Sequence, residues 1–197
     1  MRILHTSDWH LGQHFMGKSR QAEHQALIAW LLTEVEKQAV DAVLIAGDIF
    51  DSGTPPSYAR ELYSQLVVRL HEAGVALLLL GGNHDSVATL GESRELLVRL
   101  GATVVAAASV DAAAQVVVLP LRNGEPGCIV CAIPFIRPRD VLQSQAGQSA
   151  EDKQLSLQTA IQAHYNGVFT AASACQAELT SQLGRKLPLI ATGHLTT

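Results

Sequence analysis

Four short polar clusters stand out for the chemistry their residue types allow: Asp8-Trp9-His10, Gly47-Asp48, Asn83-His84-Asp85 and Gly193-His194. Carboxylate, imidazole and amide donors with no thiolate among them suit Mn²⁺, Fe²⁺ or Zn²⁺ rather than a sulfur-loving metal, and they disfavour an all-oxygen Mg²⁺ or Ca²⁺ cage. Asp8 and His10, two positions apart after an apolar run, can reach one ion. Two such ions bridged by a carboxylate activate water for in-line attack on phosphorus and offset charge on the phosphate oxygens, which is phosphoester hydrolysis. A histidine left off the ions could protonate the departing oxygen. Taken singly, each cluster has an ordinary alternative: a helix cap for Asp8, a loop histidine for His10, a turn cap for Asp48, a left-handed turn residue for Asn83. Taken jointly, such side chains converging on one crevice would be costly to desolvate without a cation.

What must bring them together is a sheet. The clusters follow apolar runs at residues 3–6, 42–46, 75–80 and 187–191. Between the first three runs lie helix-periodic segments. Residues 19–39 space Ala22, Leu27, Trp30, Leu31 and Val35 near i, i+3, i+4, and Tyr58, Leu62, Leu66 and Leu70 share one stripe between Pro55-Pro56 and Gly74. Residues 90–100 predict a further helix carrying Leu96, Leu97 and Leu100. Uninterrupted apolar strands alternating with amphipathic helices mean parallel strands buried on both faces, and such sheets bind ligands at the carboxyl ends of their strands. Asp8 to Asp48 spans 40 residues and Asp48 to Asn83 spans 35, each about one βαβ unit, so successive clusters fall on neighbouring strands.

Beyond Gly101 the strand candidates at 103–106, 115–119 and 128–133 follow one another without helices, and the Asn123-Gly124 step between the last two predicts a hairpin. This pattern indicates a second sheet or a mixed edge. A polar stretch at 144–153 leads into a long helix over 151–183, with a break expected near Asn166-Gly167.

With 197 residues, 48% of them hydrophobic, and a mean hydropathy of +0.18, the chain has ample apolar surface for a buried core, which excludes a disordered polypeptide. It reads as one domain over residues 1–197. No run reaches the roughly 18 apolar residues of a membrane span, and Asp8 and His10 interrupt any signal peptide, so a cytoplasmic protein is expected. The net charge of −4 gives no basic field for nucleic acid, yet two divalent cations would neutralise it. Cys128 and Cys131 lie on an apolar strand, where positions three apart face opposite ways, and they read as buried thiols rather than a zinc or redox pair.

The motifs Asp8-x-His10, Gly47-Asp48, Gly82-Asn83-His84-Asp85 and Gly193-His194 resemble the first four of the calcineurin-like metallophosphoesterases. The longer segments HTSDWHLGQ, AGDIFDSGTPPSYAR, GGNHDSVATL, IPFIRPRD and IATGHLTT are similar to the bacterial DNA-nuclease branch of that family, and the resemblance covers essentially the whole chain. It implies an α/β four-layer sandwich of two mixed sheets flanked by helices, here without its last strands. It also implies two divalent ions, most often Mn²⁺, and ATP-dependent double-strand exonuclease with single-strand endonuclease activity in DNA recombination, replication and repair. The implied partners are DNA, an ATPase with a long coiled coil, and a second copy joined through the helices after Thr54 and Asp85, where Leu96, Leu97 and Leu100 could serve.

Position by position, the resemblance makes Asp8 and His10 ligands of the first ion, Asp48 the bridge, and Asn83 and His194 ligands of the second. His84 matches the acid that protonates the leaving 3′ oxygen, with Asp85 as its support. The family's fifth motif, Gly-His-x-His, has no counterpart in these 197 residues, so the resemblance implies weakened metal loading and little activity for this chain by itself. Asp51 stands where archaeal and eukaryotic relatives often carry histidine. Arg137 and Arg139 are candidates for a backbone-phosphate contact, or a solvated pair. Other readings are a phosphatase of nucleotides or phosphoproteins, and a non-catalytic fragment or dimerising scaffold.

Overall fold

The computed structural model describes residues 1–142 and 149–195. Its first half alternates strands and helices. β1 (Ile3–Thr6) passes through a small hairpin, β2 (His14–Phe15) and β3 (Lys18–Ser19), into α1 (Gln21–Lys37). There follow β4 (Ala42–Ala46), α2 (Ser57–Glu72), β5 (Ala76–Leu80), two short helices, α3 (Val87–Gly91) and α4 (Arg94–Arg99), and β6 (Ala102–Val105). These strands pair in the order β1-β4-β5-β6, all parallel, with Thr6 opposite Ile45 and Ala46 opposite Leu80. All five residues of β4 are buried, as a strand covered on both faces requires.

The second half begins with a 3₁₀ turn (Ala112–Gln115), then β7 (Val116–Pro120), β8 (Pro126–Ile133), α5 (Pro138–Val141), α6 (Ala150–Leu183) and β9 (Leu189–Gly193). β7 and β8 form the expected hairpin, with Gly124 at φ +85°, and β9 adds to β8 in parallel. Three apolar interfaces set the layering. Val43, Ile45, Leu77 and Leu79 pack on Leu31, Val35, Leu66 and Leu70 of α1 and α2. Ala42, Leu44, Leu78 and Leu80, on the opposite face, meet Leu119, Cys128, Val130 and Ala132 of the second sheet. Ile129, Cys131 and Ile133 then turn to Val168 and Ala172 of α6. The order helices, sheet, sheet, helix is the expected four-layer α/β sandwich. Only the second sheet is mixed, however, because every crossover in the first runs through helices and returns the chain in the same direction. Cys128 and Cys131 go to different interfaces, and burial pushes both thiols up, Cys128 to about 11.

Three expectations change. α6 runs unbroken for 34 residues through Asn166-Gly167, because Val168 and Ala172 bury against the sheet and outweigh the roughly 1 kcal/mol that a mid-helix glycine costs. The helix expected over 90–100 divides at Glu92-Ser93. Its first part is capped by the Ser86 hydroxyl, which accepts the Thr89 N–H, and its second part buries Leu97 but leaves Leu96 57% exposed. Leu97 therefore belongs to the core and cannot serve a second copy. The final strand runs to Gly193 rather than Ala191, since Leu189 to Gly193 pair with Ile129 to Ile133. Of the polar stretch at 144–153, residues 144–148 lie outside the described residues. No described helix is long and apolar enough to cross a membrane.

Candidate metal centre

The carboxyl ends of β1, β4, β5 and β9 meet at one edge of the sandwich. Beyond their strands, the first two chain segments keep exchanging hydrogen bonds: the Asp8 N–H donates to Gly47 O at 3.1 Å, and the His10 N–H donates to Asp48 O at 2.9 Å. Asp8, His10 and Asp48 all adopt left-handed backbone, with φ of +57°, +49° and +50°. Few L residues accept that region, which costs about 1 kcal/mol or more each, and such outliers cluster where side chains are aimed at a ligand.

Asp48 is the centre of the arrangement. It is 3% exposed, its Oδ1 accepts the His84 N–H at 2.9 Å, and its Oδ2 lies 3.7 Å from His10 Nε2 and 3.5 Å from His194 Nε2. Two sets of donor atoms fall within 4.8 Å of one another: His10, Asp48 and His84, and Asp8, Asp48 and His194. Asp48 belongs to both, while Asp8 sits with His194 as well as following β1 beside His10.

Nδ1 of His194 donates to Ala46 O at 2.8 Å, which in the neutral ring leaves Nε2 as an acceptor, and it faces Asn83 Oδ1 at 3.1 Å. Two acceptors directed at one point are what a cation reconciles. The residues present thus fit divalent metal ions, and imidazole nitrogen mixed with carboxylate and amide oxygen is the donor chemistry of such ions.

The glycines in the motifs make this packing possible. A Cβ on Gly47 would overlap the His194 imidazole, one on Gly82 the Asp48 carboxylate, and one on Gly193 the Tyr165 hydroxyl. Gly47→Ala is expected to displace His194 and weaken metal affinity at least about tenfold, read by calorimetric Mn²⁺ titration, with the circular dichroism of the fold retained.

His84 is exposed and lies edge-on to His10, with ring centroids 4.8 Å apart. Its Nδ1 donates to the Asp51 carbonyl at 2.9 Å. That bond raises its pKa above the ordinary imidazole value, as do the nearby Asp48, Asp51 and Asp85 charges, against a smaller desolvation effect. The Asp85 carboxylate, expected to support His84, is hydrogen-bonded to backbone N–H groups instead. It accepts the N–H groups of Ile49, Phe50 and Gly82 at 3.1, 2.9 and 2.9 Å, because the turns after β4 and β5 leave those donors without carbonyl partners. Burial raises its pKa although the three N–H groups pull the other way.

Arg137 is also engaged otherwise than expected. Its Nη2 donates to the carbonyls of Gly82 and Asp85 at 3.1 and 3.0 Å, and the guanidinium lies 5.7 Å from the Phe135 ring. It clamps the Asn83-His84 loop from the second sheet. Arg139 is the solvated one, with a 76% exposed side chain. The signal for Arg137 is its position just past the carboxyl end of β8, at the same edge as the four clusters.

Residues 1–148 match the calcineurin-like phosphoesterase family. The chain is 52% identical over all 197 residues to SbcD, a subunit of the SbcCD nuclease, of Escherichia coli K12, covering 47% of that protein. It is 35% identical over 204 aligned positions to the SbcD of Rhodobacter capsulatus, covering 48% of it, and 40% identical over 87 residues to that of Bacillus subtilis, where 44% of this chain meets 22% of the relative. The chain thus spans about half the length of the first two of these relatives. A match over most of its length, on a fold whose strand ends gather a carboxylate shared by two donor sets, makes this chain a member of the calcineurin-like phosphoesterase family.

Proposed function

We propose that the chain is the N-terminal, metal-binding part of a DNA nuclease subunit that hydrolyses phosphodiesters with two divalent ions, Mn²⁺ first among them. The observation that carries this reading is the Asp48 carboxylate, common to two donor sets at the sheet edge. Asp8 and His10 would hold one ion, Asn83 and His194 the other, and Asp48 would serve both. When bound, the ions supply Lewis-acid polarisation of the phosphate and an acidified water.

The protein's own part is positioning and proton transfer. With Nδ1 of His84 committed to the Asp51 carbonyl, the proton available to a leaving 3′ oxygen would be the one on Nε2. The raised pKa keeps that proton in place nearer neutrality. His84→Ala is expected to lower cleavage about 10²–10⁴-fold with bound Mn²⁺ unchanged. A parallel loss of metal would make His84 a ligand instead.

The name of the Escherichia coli relative, a subunit of SbcCD, supports assembly with an SbcC-type coiled-coil ATPase, and hence ATP-dependent exonuclease and single-strand endonuclease action on DNA in the cytoplasm. Leu96 and Val98, 57% and 60% exposed on α4, offer apolar surface for a homodimer through α2, α3 and α4. The test assays the ATPase-bound protein with Mn²⁺ on linear duplex DNA and on a small phosphomonoester in parallel. Nucleotide release from duplex ends with the monoester left intact is expected; turnover of the monoester alone would overturn the nuclease reading.

A further inference from the structure

Asp51 lies between the two histidines of one donor set and serves each with a different group. Its carboxylate Oδ1 is 3.3 Å from His10 Nδ1, and its backbone carbonyl accepts the His84 Nδ1–H at 2.9 Å. The backbone that presents it is fixed, since the Asp51 N–H donates to Leu11 O at 3.1 Å, continuing the ladder between the loops after β1 and β4. His10 Nδ1 is buried and has no aligned hydrogen-bond partner, so the nearby Asp51 oxygen is the acceptor toward which it can turn. Its other nitrogen, Nε2, looks at Asp48 Oδ2 from 3.7 Å.

A neutral imidazole carries one ring proton, and a carboxylate on the Nδ1 side holds that proton there. Nε2 is then left as a lone pair aimed at the shared carboxylate. The Asp51 oxygen lies on the far side of the ring from the space His10 shares with Asp48, so it acts through His10 rather than beside it.

We infer that Asp51 is a positioning residue: its carboxylate fixes the tautomer and tilt of His10, while its main-chain carbonyl independently fixes those of His84. The inference rests, for its consequence, on the divalent-ion reading of the site. The side chain of Asp51 is 34% exposed, so truncating it leaves a solvated gap rather than a core cavity. Because the His84 contact is to backbone, every Asp51 variant retains it, and of the two rings only His10 loses its side-chain acceptor.

The experiment compares wild type, Asp51→Ala and Asp51→Asn in the 197-residue chain by two measurements. Imidazole ¹⁵N shifts of the metal-free protein report the tautomer of His10, and Mn²⁺ titration reports affinity. Expected are an Nδ1–H tautomer in wild type, a mixture in Asp51→Ala, and recovery in Asp51→Asn, which keeps an oxygen acceptor without the charge. Mn²⁺ affinity should fall about 10–100-fold in Asp51→Ala and return to within a few-fold in Asp51→Asn. Unchanged His10 shifts in Asp51→Ala overturn the inference even if the ions bind normally. Absence of Mn²⁺ binding by wild type would sink the divalent-ion reading instead, and the tautomer measurement would still decide the Asp51 contact.

Discussion

Asp48→Ala is expected to remove Mn²⁺ binding and, on the proposed nuclease function, to lower strand cleavage on the order of 10³-fold or more, since several kcal/mol of transition-state stabilisation would depend on the ions and each 1.36 kcal/mol is tenfold. No other side chain belongs to both donor sets among the described residues. The same change should leave the metal-free fold nearly as stable as before. It deletes the acceptor of the His84 N–H, a loss of about 1 kcal/mol, but it also removes a buried negative charge crowded by Asp8 and Asp85. Thermal melts make the distinction. Wild type should gain about 2.7 kcal/mol of stability with Mn²⁺ at a hundred times its Kd, and the variant nothing. Two equivalents of Mn²⁺ still bound by Asp48→Ala would contradict the shared-carboxylate site.

Asp85→Ala is expected to act through stability. It strands three buried N–H groups, those of Ile49, Phe50 and Gly82, each at about 1–3 kcal/mol, and water entering the gap offsets part of the loss. A net cost of about 3–5 kcal/mol is a large share of the roughly 5–15 kcal/mol available to a domain, and it should lower the Tm by about 10 °C or more. The pH dependence has a definite sign. Burial raises the folded pKa above 3.8, so between the two values the unfolded chain has lost its proton and the folded chain has kept it. The stabilising effect is complete below 3.8 and declines as pH rises through the folded value. Urea unfolding of the metal-free protein should therefore show Asp85→Asn losing more relative to wild type near pH 4 than near pH 7. A constant difference across that range would show that Asp85 does not titrate abnormally.

The strands were legible because parallel strands buried on both faces leave uninterrupted apolar runs, as β4 does with five buried residues in a row. The gathering of the polar clusters was legible for a related reason: polar residues directly after such runs lie at a sheet edge. The tasks of Asp85 and Arg137 were not, since they depend on which backbone donors and carbonyls loops 36 and 52 residues away leave unpaired. No residue type announces that in advance. The helix breaks were misplaced in both directions. Gly167 was overridden by burial of its neighbours, while residues 90–100 divide where Ser93 opens a new helix and its next turns split between core and solvent.

The contact between His194 and Ala46 joins residues 148 apart in sequence, and the missing side chain of Gly47 is the space the ring fills. During synthesis, then, the candidate donors that follow β1, β4 and β5 emerge long before His194, which reaches them only when α6 has packed and β9 has docked on β8. Docking of β9 and arrival of His194 at Ala46 are one event. On the divalent-ion reading, affinity therefore reports whether β9 has docked, and unfolding that starts by peeling β9 would weaken ion binding first.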